Sequence, residues 1–394
     1  MNASIEEIKI KNYKALRHVE MKGIPRLCFL VGANGSGKST FFDAFSFLKD
    51  SIRDNVSVAL NKRGGFDQVV TRDSEGPIEM SFKFRESGGR LATYELSVGL
   101  NEQRRPVVKR EVLKFRRGTR GQAWHFLDFT EGQGSAITNE ADYGKEGVKE
   151  KREEQILKSP DVLAITGLGQ FQKFRIASEF CDLIDSWFIS DFHIAEARPS
   201  VPDGVAEHLS TRGDNLALVA RHLKENHPEI FARVLEQMKL RVPGVSQVEA
   251  KPMEDGRMLL RFQDGKFKDP FIARHVSDGT IKMFAYLVML YDPRPFPLLA
   301  IEEPENQLYP SLMDELAEEF RAYAKRGGQA FVSTHSPDLL NGAKLDEVYW
   351  LVKKDGVSEL RRASDDEQIS AYMKDGDKMG YLWKQGLFFG ADPR

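Results

Sequence analysis

The sequence is poor in cysteine, lacks long hydrophobic runs and carries almost no net charge. Its two cysteines, Cys28 and Cys181, cannot build a disulfide framework, and each lies in an apolar run as a small core residue would. The longest apolar stretches, residues 284–291 and 296–301, are far shorter than the ~20 residues of a membrane span. Residues 2–14 are polar and charged where a signal peptide would be apolar. The net charge of −2 excludes a chain that binds polyanions over its whole surface. From the few cysteines and the short apolar stretches, we expect a cytoplasmic protein with no membrane segment.

The composition is that of an ordinary globular protein, with 41% hydrophobic and 29% charged residues in 394 positions. That length favours two or three domains at roughly 150 residues each. Near the amino end, residues 5–13 alternate as a half-exposed strand would, residues 27–31 form a short apolar run, and residues 40–47 have helical character. Strands alternate with helices again towards the carboxyl end, so the sequence predicts an α/β core.

The middle of the chain departs from this alternation. Between residues 78 and 129, four β-prone segments are separated by polar or glycine-containing turns, which predicts an antiparallel meander. Residues 131–159 are charged and predict a solvated linker with some helix, whereas residues 160–240 predict mainly helices. A hairpin is expected around Asp255 and Gly256. The α/β core is therefore predicted to be interrupted by a β arm and a helical insertion.

A glycine-rich segment after the apolar run fits the phosphate-loop pattern G-x-x-x-x-G-K-[ST]. Its glycines let backbone N–H groups turn towards phosphate oxygens, and the following helix directs its positive end at them. Lys38 would reach the β- and γ-phosphates, and the Ser39 hydroxyl would ligate Mg²⁺. The pattern arises by chance in about 2% of chains of this length, and the alternative is a turn that only reverses the chain. The predicted nucleotide-binding residues here are Gly32, Ala33, Asn34, Gly35, Ser36, Gly37, Lys38, Ser39 and Thr40.

A second candidate site follows the short apolar run at residues 298–301, where Glu302 and Glu303 stand side by side. In a phosphate-loop NTPase, a carboxylate at the end of a buried strand lies near the metal. Glu302 suits the metal side, held through water, and Glu303 suits a general base that orients or deprotonates the attacking water. Two adjacent glutamates are commonplace on protein surfaces, but the apolar run and the phosphate loop favour the functional interpretation.

Two more segments complete a pattern. Residues 276–280, Val-Ser-Asp-Gly-Thr, open an apolar helix before the acidic pair, and residues 333–337, Ser-Thr-His-Ser-Pro, follow it after a β-prone run. The chain also has Ile-Lys-Asn-Tyr-Lys-Ala-Leu at residues 10–16 and Glu-Glu-Pro-Glu-Asn-Gln-Leu-Tyr-Pro at residues 302–310. In this order the segments resemble ABC-type ATPases of the SMC/RecF-like branch, which includes the ATPase portion of OLD-family (overcoming lysogenization defect) proteins.

The resemblance implies two nucleotides held between two heads, with the phosphate loop of one head facing the signature of the other. Ser277 and Gly279 would then contact the γ-phosphate bound by the partner, whereas the alternative is a helix N-cap with a turn. His335 would be a switch histidine that senses the γ-phosphate, and the alternative is a structural histidine. Gln68 would be the Q-loop residue that links Mg²⁺ to the arm.

Two features bear on partners. The pair Asp375 and Asp377 resembles the acids of a TOPRIM nuclease, but it follows a polar helical stretch, and the 59 residues after His335 are too few for that module. We therefore expect a separate effector protein, with a TOPRIM-type nuclease as a candidate. Residues 104–120 hold basic side chains against one acid, Glu111, which fits either a nucleic-acid contact or a solvated face of the β arm. The basic residues are Arg104, Arg105, Lys109, Arg110, Lys114, Arg116, Arg117 and Arg120.

The predicted fold class is an α/β, ABC-type ATPase head with a mixed sheet and flanking helices. The predicted parts are a nucleotide-binding lobe (1–75), a β arm (76–130), a linker and helical insertion (131–275), a lobe with the signature, acidic pair and His335 (276–360) and a helical tail (361–394).

The predicted function is ATP hydrolysis with Mg²⁺ by a homodimer or higher homo-oligomer that controls an effector in bacterial antiphage defence, with Lys38, Glu303 and His335 as catalytic residues. One alternative is a DNA-repair ATPase of the RecF/SMC type. The other is a transporter nucleotide-binding subunit, whose signature is usually Leu-Ser-Gly-Gly-Gln rather than the Ser-Asp-Gly-Thr found here. Two departures from the commoner patterns are Asp278, where transporters have glycine, and Glu302, where an aspartate is commoner.

Overall fold

The computed structural model describes residues 3–85, 91–116, 123–142, 145 and 147–391. The chain divides into two compact units. The first unit comprises Met1–Trp187, Leu345–Asp377 and Leu382–Arg394, and the second comprises Phe188–Lys344 and Lys378–Tyr381. No helix within the described ranges is long and apolar enough to cross a membrane.

The strands are numbered in chain order. They are β1 (Ser4–Tyr13), β2 (Leu16–Lys22), β3 (Leu27–Val31), β4 (Ile78–Arg85), β5 (Leu91–Leu100), β6 (Pro106–Arg116), β7 (Ala123–Thr130), β8 (Gln133–Ile137), β9 (Arg152–Ile156), β10 (Phe188–Ile189), β11 (Val201–Pro202), β12 (Val245–Pro252), β13 (Arg257–Asp264), β14 (Phe271–Ile272), β15 (Leu299–Glu302), β16 (Ala330–Thr334), β17 (Val348–Lys354) and β18 (Val357–Arg362).

The helices are numbered in the same way. They are α1 (Lys38–Arg53), α2 (Val56–Asn61), α3 (Phe66–Val69), α4 (Ala164–Gly169), α5 (Arg175–Asp185), α6 (Ile194–Ala197), α7 (Leu216–Asn226), α8 (Pro228–Arg241), α9 (Asp278–Leu290), α10 (Met313–Lys325), α11 (Pro337–Asn341), α12 (Glu367–Lys374) and α13 (Met379–Lys384).

The first unit is built on an antiparallel sheet with the strand order β2-β1-β4-β5-β6-β7-β8-β9. Side chains of β4 alternate between buried and partly exposed because one face of the sheet packs on the core. Phe82 on that buried face and Phe45 of α1 both contact Trp187, with ring centroids 5.8 and 5.5 Å away. The four strands expected between residues 78 and 129 are present and pair as an antiparallel meander.

The same sheet continues into the segment that the sequence suggested to be a linker, because β8 and β9 lie within residues 131–159. Most residues of β9 are exposed and charged, so the strand carries no alternation that a sequence pattern could reveal. In the same unit, β3 is buried along its length and pairs in parallel with β17, which in turn pairs with β18 in antiparallel fashion.

The second unit has β10, β15 and β16 as parallel neighbours and a smaller antiparallel sheet around β12 and β13. The expected hairpin is formed by these last two strands, with Gly256 at φ 73° in the turn. Helix α9 is apolar and buried through most of its length, and α10 buries Leu316, Phe320 and Ala324 on one face. Both units thus combine sheets with flanking helices, and the predicted α/β class is confirmed.

Candidate nucleotide-binding site

The phosphate-loop residues lie in the first unit, between the buried strand β3 and the start of α1. The ammonium group of Lys38 is buried and donates hydrogen bonds to the carbonyl oxygens of Gly32 and Ala33, at 2.8 and 3.2 Å. Asn34 and Ser39 are exposed at the rim of the loop. Lys38 therefore folds back onto the carbonyl oxygens of its own loop, and the first turn of α1 contains no acidic residue.

The backbone of the loop fits a phosphate group. Gly37, the N-cap of α1, has φ 106°, and an added Cβ would collide with the Ser358 side chain, so that a larger residue is excluded. No side chain caps α1, which leaves the positive end of its macrodipole available for an anion. The buried Ser36 hydroxyl has no hydrogen-bond partner. An open helix start, a glycine-only position and an unpaired hydroxyl together match the needs of a bound triphosphate.

Sequence reasoning missed two supports of this loop within the first unit. Ser358, on β18, is buried and donates a 2.6 Å hydrogen bond to the carbonyl oxygen of Ser36. Asp43, on α1, accepts hydrogen bonds from the Tyr13 hydroxyl at 2.7 Å and from the Lys14 ammonium at 2.5 Å. Burial alone would raise the pKa of Asp43, but the Lys14 hydrogen bond and the nearby Arg63 charge lower it below its usual value.

These contacts give the segment at residues 10–16 a physical role. Tyr13 and Lys14 anchor the helix that follows the phosphate loop, and Lys14 itself has a left-handed backbone, φ 50°. No hydrophobic pattern encodes such a contact, since it joins polar side chains about 30 positions apart. The Ile-Lys-Asn-Tyr-Lys-Ala-Leu segment at residues 10–16 was the sequence signal for the contact with Asp43.

The acidic pair lies in the second unit, at the carboxyl end of β15. Glu302 is exposed and pairs in register with Ser333 of β16. The Glu303 carboxylate lies 3.2 Å from His335 Nε2 and accepts a 2.9 Å hydrogen bond from the Asn306 amide. Glu303 has φ 45°, a strained conformation for a residue with a side chain. The structure therefore brings together two of the predicted catalytic residues, Glu303 and His335.

The loop that carries His335 depends on a residue that sequence reasoning did not single out. Glu305 Oε1 accepts hydrogen bonds from the Thr334 hydroxyl and the His335 N–H, both at 2.7 Å, and from the Ser336 N–H at 3.1 Å. Ser336 in turn caps α11 by accepting a hydrogen bond from the Leu339 N–H. One carboxylate thus fixes the backbone on both sides of the histidine. Its position two residues after Glu303 was the available signal.

The signature residues lie at the start of α9, also in the second unit. The Ser277 hydroxyl accepts a hydrogen bond from the Thr280 N–H and lies 2.7 Å from the Thr280 hydroxyl, so Ser277 is an N-cap in this structure. Asp278 forms an ion pair with Arg198. An added Cβ at Gly279 would stand 2.6 Å from the Gln307 carbonyl oxygen. Close packing against that carbonyl is therefore one reason for glycine at this position.

The candidate Q-loop residue and much of the basic run lie on the surface of the first unit. Gln68 is an exposed residue of α3. Arg104 pairs with Asp67 at 3.3 Å, and further along the run Lys109, Arg110 and Lys114 pair with Glu131, Asp128 and Glu95. Arg117, Arg120 and the side chain of Arg116 lie outside the described residues. Because carboxylates of α3, the strands and a turn lie opposite these four cations, this part of the run fits a solvated, charge-paired face.

Comparisons with known proteins bear on the family and the fold. Residues 27–341 match the profile of a family described as "AAA domain, putative AbiEii toxin, Type IV TA system". Among solved structures, the fold is similar to an SMC head bound to the C-terminal winged-helix domain of ScpA, at 14% identity over 91% of this chain and 96% of that one, with a TM-score of 0.55. It is also similar to a Pyrococcus furiosus SMC head with an extended coiled coil, bound to the C-terminal domain of ScpA, at 13% identity, with coverage of 94% and 100% and a TM-score of 0.50. No curated protein matches the sequence.

The structural likeness establishes the fold, which is that of the ATPase heads of SMC proteins. The family match covers well over half of the chain and includes the phosphate loop, the acidic pair and His335. The chain therefore belongs to this family of AAA-domain ATPases.

Proposed function

We propose that this chain binds ATP with Mg²⁺ at its phosphate loop and hydrolyses it with Glu303 as the general base. The observation that carries the proposal is the pair formed by Glu303 and His335 on a strained loop directly after a buried strand. Strained backbone is retained where the surrounding structure holds it, and such positions concentrate at functional sites. The open start of α1 and the unpaired Ser36 hydroxyl add a phosphate cradle in the other unit.

Each residue has a step that its position allows. The Lys38 ammonium would exchange the loop carbonyls of Gly32 and Ala33 for the β- and γ-phosphate oxygens. Ser39 and Glu302 are both exposed and would hold Mg²⁺, Glu302 through a water molecule. When bound, Mg²⁺ would neutralise charge that develops on the β- and γ-phosphates. The Glu303 carboxylate would accept a proton from the attacking water, and His335, held by Glu305, would keep that carboxylate oriented.

The test separates binding from hydrolysis. Lys38→Ala should abolish ATP binding measured by calorimetry, because it removes the main cation facing the phosphates. Glu303→Gln should bind ATP as the wild type does but hydrolyse it at least ~100-fold more slowly, as expected when a positioned base is lost. Glu254→Gln, an exposed acid of the same unit, is the matched control. Near-normal ATP affinity of the Lys38→Ala chain, or full turnover by the Glu303→Gln chain, would contradict the proposal.

We further propose that two copies of the chain close around ATP, with Ser277 and Gly279 of one copy facing the phosphate loop of the other, and with Gln68 linking Mg²⁺ to the β arm. The similarity to SMC heads and the helix start at Ser277 support this arrangement, since a hydroxyl and N–H groups at a helix start suit an anion.

The cycle would control a separate effector protein in bacterial antiphage defence, with a nuclease of the TOPRIM type as candidate. The resemblance of the motifs to OLD-family ATPases supports this role, and the two SMC heads show that such folds can dock another protein. DNA maintenance of the RecF/SMC type is the second candidate function, favoured by the same SMC-head fold. Affinity purification of the Glu303→Gln chain with ATP, followed by mass spectrometry, discriminates them: a nuclease partner supports the first, and a DNA-bound chain without one supports the second.

A further inference from the structure

Lysine 282 is a buried charged residue that the site described so far does not use. It lies on α9, three residues after Gly279, where its neighbours on the helix from Ile281 to Leu290 are otherwise uncharged. The residue is 7% exposed. A methionine of similar length would fill this place without removing a charge from water, so the contacts of the lysine ammonium group need an explanation.

The ammonium group of Lys282 contacts the backbone of the loop that carries the general base. It donates a hydrogen bond to the Asn306 carbonyl oxygen at 2.8 Å and lies 3.4 Å from the Glu303 carbonyl oxygen. It also lies 5.5 Å from the centre of the Tyr286 ring, one turn further along α9, in cation–π geometry. A single side chain of the signature helix thus holds both ends of the segment from Glu303 to Asn306.

The loop needs such a restraint. Glu303 and Gln307 both have left-handed backbones, with φ 45° and 68°, and conformations of this kind cost about 1–3 kcal/mol each for residues with side chains. On the first turn of α9, the Gly279 Cα packs against the Gln307 carbonyl, so the loop touches the helix at two positions three residues apart. Positions three apart lie on one face of a helix. The loop is therefore held along one face of α9, from the signature to Lys282.

The charge of Lys282 is held at a buried position beside two carboxylates. Burial lowers the pKa of Lys282 to about 8, although the charges of Glu305 and Glu303 act to raise it. A cavity of about 380 Å³ borders the same group and is lined by Arg198, Asp278, Gln307 and other residues of this unit. Lys282 thus lies between this cavity, which Asp278 also lines, and the backbone carbonyl oxygens of Glu303 and Asn306.

We infer that Lys282 is a positioning residue that transmits the position of the signature helix to Glu303, through the carbonyl oxygens of Glu303 and Asn306. The inference rests on the proposed function, because it assigns a purpose to the placement of Glu303. A shift of α9 when the signature meets a phosphate would move the base with it. A misplacement of about 1 Å in a catalytic group is enough to cost about 100-fold in rate.

The test compares a buried lysine, Lys282, with a part-buried one, Lys49, each of which binds a backbone carbonyl. Lys282→Met should lower kcat at least ~10-fold while the KM for ATP and the binding affinity stay within about 3-fold, because the phosphate loop is untouched. Lys282→Arg, which keeps the charge and the donors, should recover part of that loss. Lys49→Met is the matched control: Lys49, on α1 of the other unit, is part-buried, has its pKa lowered to about 8 by burial, and donates to the Trp187 carbonyl. It should leave kcat near the wild-type value.

The outcomes separate the two proposals. Wild-type turnover that requires Glu303, together with equal turnover by a folded Lys282→Met chain, overturns the role of Lys282 alone. An equal loss of kcat in the Lys49→Met chain, or a parallel loss of ATP affinity in the Lys282→Met chain, overturns it as well. Absence of Glu303-dependent turnover in the wild type overturns the proposed function and this inference with it. If the methionine variant does not fold, Lys282→Gln replaces it, since its amide is one bond too short for the Asn306 carbonyl, and the same fall in kcat is expected.

Discussion

The buried carboxyl of Glu111 offers a quantitative test of how the β arm is joined to the helices after it. Glu111 lies on β6 and is fully buried. Its Oε1 accepts hydrogen bonds from the Tyr94 hydroxyl at 3.0 Å and from the Ile165 N–H at 3.1 Å, and its Oε2 accepts one from the Ala164 N–H at the start of α4. Burial raises the pKa of this carboxyl to about 7, although the three donors act to lower it.

The sign of the pH dependence follows from that direction. The Glu111 carboxyl binds its proton more strongly in the folded protein than in the unfolded chain, where its pKa is the ordinary 4.5. The stabilisation is therefore complete below about pH 4.5 and is lost as the pH rises through about 7, where the loss levels off. The total loss is about 3 kcal/mol in the free energy of unfolding. Between about pH 5.5 and about pH 8.5 the expected loss from this one group is about 2 kcal/mol.

Urea unfolding at these two pH values, followed by tryptophan fluorescence, measures the loss. Glu111→Gln removes the titrating group, so the difference between the two pH values should shrink by about 2 kcal/mol relative to the wild type. Glu95→Gln, a part-exposed acid on the adjacent strand β5, should leave that difference unchanged. The reasoning is refuted if the Glu111→Gln and wild-type chains lose the same stability between the two pH values.

Two further predictions concern the loop of the histidine and the dimer. Glu305→Ala removes the acceptor of three hydrogen bonds, each worth about 1.5–3 kcal/mol because the acceptor is charged. It should therefore lower both the melting temperature and kcat. Glu305→Gln keeps a neutral acceptor, so its melting temperature and kcat should lie between those of the alanine variant and the wild type. Calorimetry and steady-state kinetics check this, and an alanine variant with wild-type kcat would contradict the positioning of His335. For the dimer, Ser277→Asp keeps an N-cap on α9 but places a negative charge where the γ-phosphate bound by the partner is expected. In an equimolar mixture with Lys38→Ala, a mixed dimer would combine the intact phosphate loop of one chain with the intact signature of the other. The mixture should therefore recover part of the ATPase activity that each variant alone has lost. Two variants that stay inactive when mixed would argue for a site within one chain.

Sequence patterns predicted those parts of the fold in which burial has a period. The strands between residues 78 and 129 show a period of two because one face of their sheet packs on the core. Strand β9 could not be found in this way, since most of its side chains are exposed and charged. The phosphate loop is predicted by its motif, because close approach to phosphate limits the residue types at several positions in a row.

The residues that hold the site together were beyond sequence reasoning. Ser358 and Ser36 are more than 300 positions apart, and a serine on a strand gives no indication that it will bind a loop carbonyl. Glu305 stands in a run of acids and polar residues that the sequence alone reads as exposed. Lys282 lies in an apolar helix and contacts backbone atoms, whose positions depend on the fold and not on the residue types at Glu303 and Asn306. A contact from a side chain to a distant carbonyl leaves no pattern.

The same physical device recurs at the three loops that would perform the chemistry. A buried or half-buried polar side chain from outside each loop binds its backbone: Ser358 for the phosphate loop, Glu305 for the histidine loop and Lys282 for the loop of the base. Backbone groups at such places cannot bond within a helix or sheet, and leaving one buried without a partner costs about 1–3 kcal/mol. A polar side chain satisfies them and, unlike an apolar contact, does so only in one geometry. Because a few hydrogen bonds fix each loop, a change in what a loop contacts can move it without unfolding its unit. The proposed cycle of ATP binding and hydrolysis would require such movement.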